Sequence, residues 1–564
     1  MTAPAGLGRL VGRGLAWGGA GSIVLRFGNV LVGIVLARLL VPEDFGVFAI
    51  ALAVQGVLVT VVDLGLSADL VRSDDPRRLE PTVATISLVL GALLAGAMAA
   101  TAEPVARALG SERAAPVIAV LAATLVVSAA GVVPYARLQR GFHQRELLAT
   151  GLVDLVVGTV VTVLLVRAGW GPMALAVSRL VAQPAATGTQ FLLSRTVPRF
   201  GYDRELARGA VAYGAPLAGA NLLSIALLAV DKVVLARGAG EVALGYYVLA
   251  FNVASWPMTV IGQTVRPVAL AAFARLDGRH EVADGVPGGP ASSGPPGGGP
   301  ASGDGGLALA TRLTWAAAVP AACLLGALSL PVVTLLYGGR WAPAAGALAA
   351  LAAFGALRVL FDLLATYLIA RGATRPVLAV QVAWLVALLP AVVVGARVGG
   401  SAGVGWAHVV VAAVVVLPLY LGAVRRSGGD LRALAAATWL PLVAAGPTVA
   451  AAVLVARQVP GPLGALAAGG TAGALVYVAL VGRPLLRDLR GLRSGARRDS
   501  ALGTLDAAPA PVPVPGGGPA PTVDPVAPPV PVAPPVPAVA PASGAGAAPA
   551  AAPVAVPPDP ERVP

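Results

Sequence analysis

Apolar residues in this chain come in runs of about 20, divided by short polar stretches, almost from end to end. A helix needs a run of that length to cross a bilayer, and the chain predicts about fourteen of them. They fall at 16–37, 46–68, 82–101, 115–135, 147–166, 172–193, 209–236, 242–270, 313–336, 345–370, 377–396, 402–423, 433–456 and 463–482. Period-two alternation, the mark of a membrane barrel strand, is absent. The first run is too long for the apolar core of a secretion signal and has no small-residue cleavage site followed by a soluble chain, so it reads as a span.

Composition agrees with this pattern. The chain is 57% hydrophobic and 12% charged, with a mean hydropathy of +0.82, and a soluble domain carries about twice that share of charge. In a soluble protein the net charge of +13 would point to nucleic acid; its placement here excludes that partner. Arginines crowd alternate connections: Arg72, Arg77 and Arg78; Arg137, Arg140 and Arg145; Arg195, Arg199, Arg204 and Arg208; Arg371 and Arg375; Arg425, Arg426 and Arg432. The connections between them carry mostly single arginines, such as Arg167, Arg237 and Arg340. The positive-inside rule therefore puts the arginine-rich end, and both termini, in the cytoplasm. Trp17, Trp170, Trp341, Trp406 and Trp439 fall near run ends, as an aromatic belt would.

Two short matches suggest an internal duplication. "LARLLVPEDFGVFAIA" (36–51) and "LARGAGEVALGYYVLA" (235–250) share Leu-Ala-Arg and then Gly46 and Gly245 without a gap. Further on, Arg140-Gly141 matches Arg371-Gly372 at an offset larger by about one Gly/Pro-rich insertion, which lies between the two matches. Six runs separate the copies, so both have the same orientation across the membrane. The expected fold is all-α and polytopic, with two pseudo-symmetric six-helix lobes and two extra helices. The lobes are 1–208 and 209–424, the second interrupted by a Gly/Pro/Ser linker at 277–306. Helices 13 and 14 follow at 425–485, and 486–564 is a Pro/Ala-rich tail with no core to bury, which reads as disordered.

Polar residues inside the runs carry the candidate chemistry. On the first helix Ser22, Arg26, Asn29 and Gly33 share one face; on the eighth, Asn252, Ser255, Thr259, Gly262 and Arg266 form an unbroken stripe. Small and polar residues also glue helices together, and for Ser22, Gly33, Thr259 and Gly262 that reading stands level. Arg26 and Arg266 differ, because neither has an acidic residue three or four positions away and a charge at that depth costs at least ~2.5–3.5 kcal/mol. They read as facing a water-filled cavity between the lobes, where guanidinium forks would suit an anionic, phosphate-bearing substrate. Arg26, Asn29, Asn252 and Arg266 are thus the substrate-binding candidates. Asp63 and Asp231 are the candidates for ion coupling. Arg358 and Asp362, one helical turn apart, read as a pair with each other, and Asp154 and Arg179 stay open. With one cysteine, Cys323, and three scattered histidines, the chain offers no disulfide and no metal cluster. No nucleotide loop or nucleophile elbow appears, so neither an enzyme nor a cofactor is expected.

The stretch "ARLLVPEDFGVFAIALAVQGVLVTVVDLGLSADLVR" (37–72) closely resembles the first-loop and second-helix signature of the polysaccharide flippases in the MOP (multidrug/oligosaccharidyl-lipid/polysaccharide) exporter superfamily. The matching residues are Arg38-Leu39, Pro42-Glu43-Asp44, Phe45-Gly46 and Asp63-Leu64-Gly65-Leu66. "PYARLQRGFHQREL" (134–147) and "GWGPMALAVSRL" (169–180) are similar to the family's connection after helix 4 and its turn into helix 6. The resemblance covers about residues 10–485. It implies a flippase that carries an undecaprenyl-pyrophosphate-linked oligosaccharide to the outer leaflet of the bacterial cytoplasmic membrane. It also implies that arginines on helices 1 and 8, where Arg26 and Arg266 stand, meet the pyrophosphate. The partners so implied are a lipid-linked anionic glycan, membrane lipids and, through the Pro-rich tail, other polysaccharide-assembly proteins. The rivals are a lipid II flippase or a drug/cation antiporter of the same superfamily, the latter needing an acidic, aromatic-lined cavity. A membrane glycosyltransferase or glycan polymerase would need large outward loops, and the outward connections here are short. The linker and the tail depart from the family's usual pattern.

Overall fold

The structure, a computed structural model, describes residues 5–505 apart from 74, 198 and 284–302. Two compact units separate, Met1–Ser494 and Gly495–Pro564. The first unit contains the membrane helices. Its first lobe holds α1 (Ala5–Leu39), α2 (Pro42–Asp63, continued by Leu66–Arg72), α3 (Pro76–Ala100), α4 (Ala114–Arg140), α5 (Gln144–Arg167) and α6 (Pro172–Ser194). Arg204–Ala283 is one helical stretch broken at Gly240 (φ 81°, ψ 177°), which divides it into α7 (204–239) and α8 (241–283). Then come α9 (Gly303–Ala327, continued by Ser329–Tyr337) and α10 (Ala344–Ala370). Gly399 and Gly400, the latter at φ 54°, break the next stretch into α11 (374–398) and α12 (401–426). α13 (Leu431–Gln458) and α14 (Pro462–Leu505) complete the order.

Every apolar run expected from the sequence falls on one of these helices. Local chemistry starts them: Pro42 and Pro172 stand at first helical positions, and Asp75 and Asp430 cap α3 and α13 by accepting from the Arg78 and Arg432 backbone N–H groups. Ten helical stretches among the described residues are long and apolar enough to cross a membrane, α7 with α8 and α11 with α12 each counting as one. α6 is not among them, because Arg179, Gln183, Thr187 and Gln190 make one of its faces polar.

α4 and α10, the fourth helices of the two lobes, are the most enclosed spans, with 56% and 72% of their apolar windows buried. Arg140-Gly141 and Arg371-Gly372 close these two helices at the arginine-rich end. Exposed apolar side chains such as Leu93, Leu164, Val386, Val443 and Leu475 cover the outer faces, as contact with lipid requires. The chain is a multi-pass membrane protein.

Candidate functional site

A cavity of about 970 Å³ opens among α1, α2, α4, α5 and α6, with Ile225 of α7 reaching its wall. It occupies the half of the first lobe beside the arginine-rich connections. α5, which starts at that end, gives early residues to the wall (Gln144 and Leu147), and helices that return to it give late ones (Asp63 of α2, Gln139 of α4, Gln190 of α6).

The lining is rich in amides and hydroxyls: Gln55, Gln139, Gln144, Gln183 and Gln190, with Thr60, Ser67, Ser128, Tyr135 and Thr187. Several amide N–H groups are already spent on the protein. Gln55 donates to the Thr124 hydroxyl at 2.5 Å, and Thr124 in turn donates to the Leu121 carbonyl oxygen, which fixes the way this amide faces. Gln139 donates to the Tyr135 hydroxyl at 2.9 Å, and Gln183 to Ser128. Gln190 Oε1 is buried without a hydrogen-bond partner, and Gly131 leaves the space beside it open, since a Cβ there would stand 3.3 Å from that oxygen. The charged groups are Asp63, Asp154 and Arg179, the last two 3.9 Å apart. The amides keep further donors beside their acceptor oxygens, and the wall holds one more carboxylate than guanidinium, which suits the hydroxyls of a sugar better than an anion.

At the opposite end of the molecule the two lobes lock together. A Cβ on Gly46 would run into the Glu241 carbonyl oxygen, and one on Gly245 into the Pro42 carbonyl oxygen. Pro42 and Glu241 are related by the same sequence offset as Gly46 and Gly245, so the two contacts are the same contact made twice across a pseudo-twofold axis. Arg113 ties this junction to Glu43, to Asp44 at 3.6 Å and to Glu241 at 3.7 Å. Arg38 donates to the Leu335 and Leu336 carbonyl oxygens at 2.6 and 2.9 Å, satisfying the end of the Ser329–Tyr337 helix. Trp341, expected in the aromatic belt, is instead fully buried here. Its indole N–H is held 2.7 Å from the Ala37 carbonyl oxygen, and the ring stands edge-on to Phe45. Trp170, Trp406 and Trp439 are about half exposed, as belt residues would be. At the arginine-rich end Gly65 (φ 69°) faces Gly214 of α7, where a Cβ would stand 2.9 Å from the Gly214 Cα. α2 is therefore clamped to the second lobe at both ends.

The second lobe carries a buried polar cluster. Asp231, 1% exposed, accepts from the Tyr247 hydroxyl at 2.5 Å and lies 3.6 Å from Lys232 Nζ and 3.7 Å from His408 Nε2. Lys232 sits over the Phe251 ring, and His408 Nδ1 lies 3.0 Å from the Val404 carbonyl oxygen. A carbonyl can only accept, so Nδ1 carries the proton.

A family model for "Polysaccharide biosynthesis protein" matches residues 35–283, which include both sides of the interlobe lock. The chain is 26% identical over 325 residues to the succinoglycan biosynthesis transport protein ExoT of Rhizobium meliloti (strain 1021), a match covering 57% of this chain and 61% of that protein. That is less than two thirds of the relative's length. It is 22% identical over 449 residues to the lipopolysaccharide biosynthesis protein WzxC of Escherichia coli (strain K12), covering 77% of this chain and 85% of that one. Among solved structures, the lipid II flippase MurJ in an inward closed conformation superposes with a TM-score of 0.68 at 13% identity, over 84% of this chain and 99% of that one. An inward-facing multidrug resistance MATE transporter of the MOP superfamily gives 0.55 at 16% identity, over 72% and 94%. Residues 35–283 are thus similar to polysaccharide biosynthesis proteins, and the helical fold to those of MurJ and the MATE transporter. The two structural likenesses speak to its fold alone.

The residues expected from the sequence fall in different places. Asp63 lines the cavity. Asp231 belongs to the buried cluster of the second lobe. Arg26 is half-buried, follows cavity-lining Leu25 by one position, and has no ion pair or hydrogen bond among the described residues. Asn29 is exposed and donates to the Leu25 carbonyl oxygen at 2.9 Å, and Asn252 is exposed on α8. The side chain of Arg266 lies outside the described residues, as do the linker at 284–302 and the tail from 506. Asp154 and Arg179, open between two readings in the sequence, are paired on the cavity wall. Gln55, a polar position of the second run in the sequence, lines the cavity; sequence reasoning missed His408, Tyr247 and the other four glutamines.

Proposed function

We propose that the chain moves a lipid-linked oligosaccharide from the cytoplasmic to the outer leaflet of the bacterial cytoplasmic membrane by alternating access. The observation that carries this reading is the amide- and hydroxyl-lined cavity in the arginine-rich half of a molecule whose opposite end is locked. Both termini and the arginine-rich end face the cytoplasm in this reading, so the cavity stands ready to be loaded from that side. The glycan occupies the amide-lined space. The pyrophosphate meets Arg26 and Asn29 of α1 and Asn252 and Arg266 of α8. Outward movement of about two negative charges is downhill by up to roughly 4–5 kcal/mol per 100 mV with the cytoplasm negative. An ion-coupled cycle would use Asp63, which lines the cavity, rather than Asp231, which Tyr247 and Lys232 already hold.

Cysteine protection tests the reading. In full-length protein carrying Cys323→Ala and Thr60→Cys, undecaprenyl-pyrophosphate-linked oligosaccharide should slow maleimide modification, while lipid II and ethidium should not. Equal protection by lipid II or ethidium would move the chain to the corresponding rival. Replacing both Gln183 and Gln190 with leucine removes two sugar-facing amides and should weaken protection by about 30–150-fold, at ~1–1.5 kcal/mol for each hydrogen bond lost.

A further inference from the structure

A second cavity, of about 490 Å³, lies at the arginine-rich end between α3, α4 and the chain that leaves α6. Its two ends differ in chemistry. One is lined by Arg77, Arg137, Arg195 and Arg199, the other by Ala84, Leu88 and Ala129. Arg77 and Leu88 are eleven positions apart on α3, so the change from charge to hydrocarbon spans about 16 Å. Glu80 is the one carboxylate in the wall, and Arg137 holds it with two nitrogens. Arg77, Arg195 and Arg199 have no hydrogen-bond or ion-pair partner among the described residues. Three guanidinium groups from two segments thus converge on the mouth of an apolar slot whose one carboxylate, Glu80, is held by Arg137.

The segment after α6 begins at Arg195, the left-handed cap that ends that helix (φ 50°). The same segment exposes Val197 (73%), Phe200 (62%) and Tyr202 (68%) beside Arg195 and Arg199. Arginine heads with aromatic and aliphatic neighbours are suited to the headgroup boundary of a bilayer, where the charge meets phosphate and the rings meet acyl chains.

We propose that this cavity is a binding site for an anionic phospholipid of the arginine-rich leaflet, its phosphate held by Arg77, Arg195 and Arg199 and an acyl chain lying along α3 towards Leu88. The site is separate from the transport cavity and does not depend on what that cavity carries. An exposed cluster of positive charge that only obeys the positive-inside rule would attract acidic lipid diffusely; a built site retains one molecule.

Native mass spectrometry of the purified full-length protein, with dioleoyl phosphatidylglycerol, dioleoyl phosphatidylcholine or inorganic phosphate as probe, separates these cases. The wild type should retain one phosphatidylglycerol and release phosphatidylcholine. Arg195→Gln with Arg199→Gln should weaken that retention by about tenfold or more. Arg425→Gln with Arg426→Gln removes the same charge from the same end of the molecule, outside the cavity, and should leave retention unchanged. Equal weakening by the two double variants would overturn the proposal in favour of diffuse attraction. So would equal retention of phosphatidylcholine, or displacement of the lipid by millimolar inorganic phosphate. All four arginines are exposed, and an unchanged elution volume on size exclusion shows that the variants remain folded.

Discussion

Alanine at both Gly46 and Gly245 should reduce transport by more than tenfold while leaving the protein inserted and abundant. Each added Cβ meets a backbone carbonyl oxygen, that of Glu241 or Pro42, and no rotamer change can move a carbonyl aside. Overpacking of this kind costs about 1–3 kcal/mol at each site, and it falls only on the state in which α2 and α8 touch. A shift of about 2 kcal/mol changes the population of the locked state roughly 30-fold. Gly33→Ala is the control, because a Cβ there meets nothing within 4 Å. The lock can be read directly with Ala37→Cys in a Cys323→Ala background, since Ala37 is fully buried beneath Trp341. A membrane-impermeant maleimide should label that cysteine faster in the double alanine variant than in the parent. Unchanged labelling together with wild-type transport would mean that this contact does not gate the cycle.

Asp231→Ala should cost the folded protein about 3–5 kcal/mol, because it breaks a buried charge pair from one side. The carboxylate is 1% exposed and serves the Tyr247 hydroxyl and Lys232 together. Removing it leaves the Lys232 charge without that partner and the Tyr247 hydroxyl without its acceptor. Removing both members of the pair, as Asp231→Leu with Lys232→Met, should recover much of the loss, since an apolar replacement of a buried pair is often neutral. Thermal unfolding of the detergent-solubilised full-length protein measures both. If Asp231→Ala unfolds at the wild-type temperature but fails to transport, the cluster serves the transport cycle rather than the fold, and ion coupling through Asp231 gains the support that its burial denies it here.

The helices are legible in the sequence because a bilayer demands continuous apolar runs, and each run lies on a helix. The duplication is legible as matched letters, but its meaning is not. Gly46 and Gly245 look like aligned positions, and only the fold shows that each packs against the other copy's helix start. The Asp63-Leu64-Gly65-Leu66 stretch likewise resembles a family signature; its glycine is where α2 ends and presses on Gly214. The cavity is harder to see, because its polar groups are spread over four helices, three or four on each. A usable signal does exist on α6. Arg179, Gln183, Thr187 and Gln190 recur at helical spacing and form one polar face, which is easily missed beside the lone charge of Arg179. Charge draws the eye to Arg26 and Arg266, whereas the polar groups of the described cavity wall are mainly uncharged amides and hydroxyls. The His408–Asp231 approach joins residues 177 positions apart on α12 and α7, and no local pattern announces it.

Flipping in proteoliposomes is the most direct test of transport by this chain. Purified full-length protein would be reconstituted with undecaprenyl-pyrophosphate-linked oligosaccharide, and lipid crossing to the far leaflet measured by its accessibility to a membrane-impermeant glycosidase. Crossing should depend on the protein and be lost in the Gly46→Ala/Gly245→Ala and Gln183→Leu/Gln190→Leu variants, with lipid II and ethidium left in place. Crossing of lipid II or ethidium at the same rate, or of the oligosaccharide at an undiminished rate in the glutamine variant, would contradict an amide-lined site for a lipid-linked oligosaccharide.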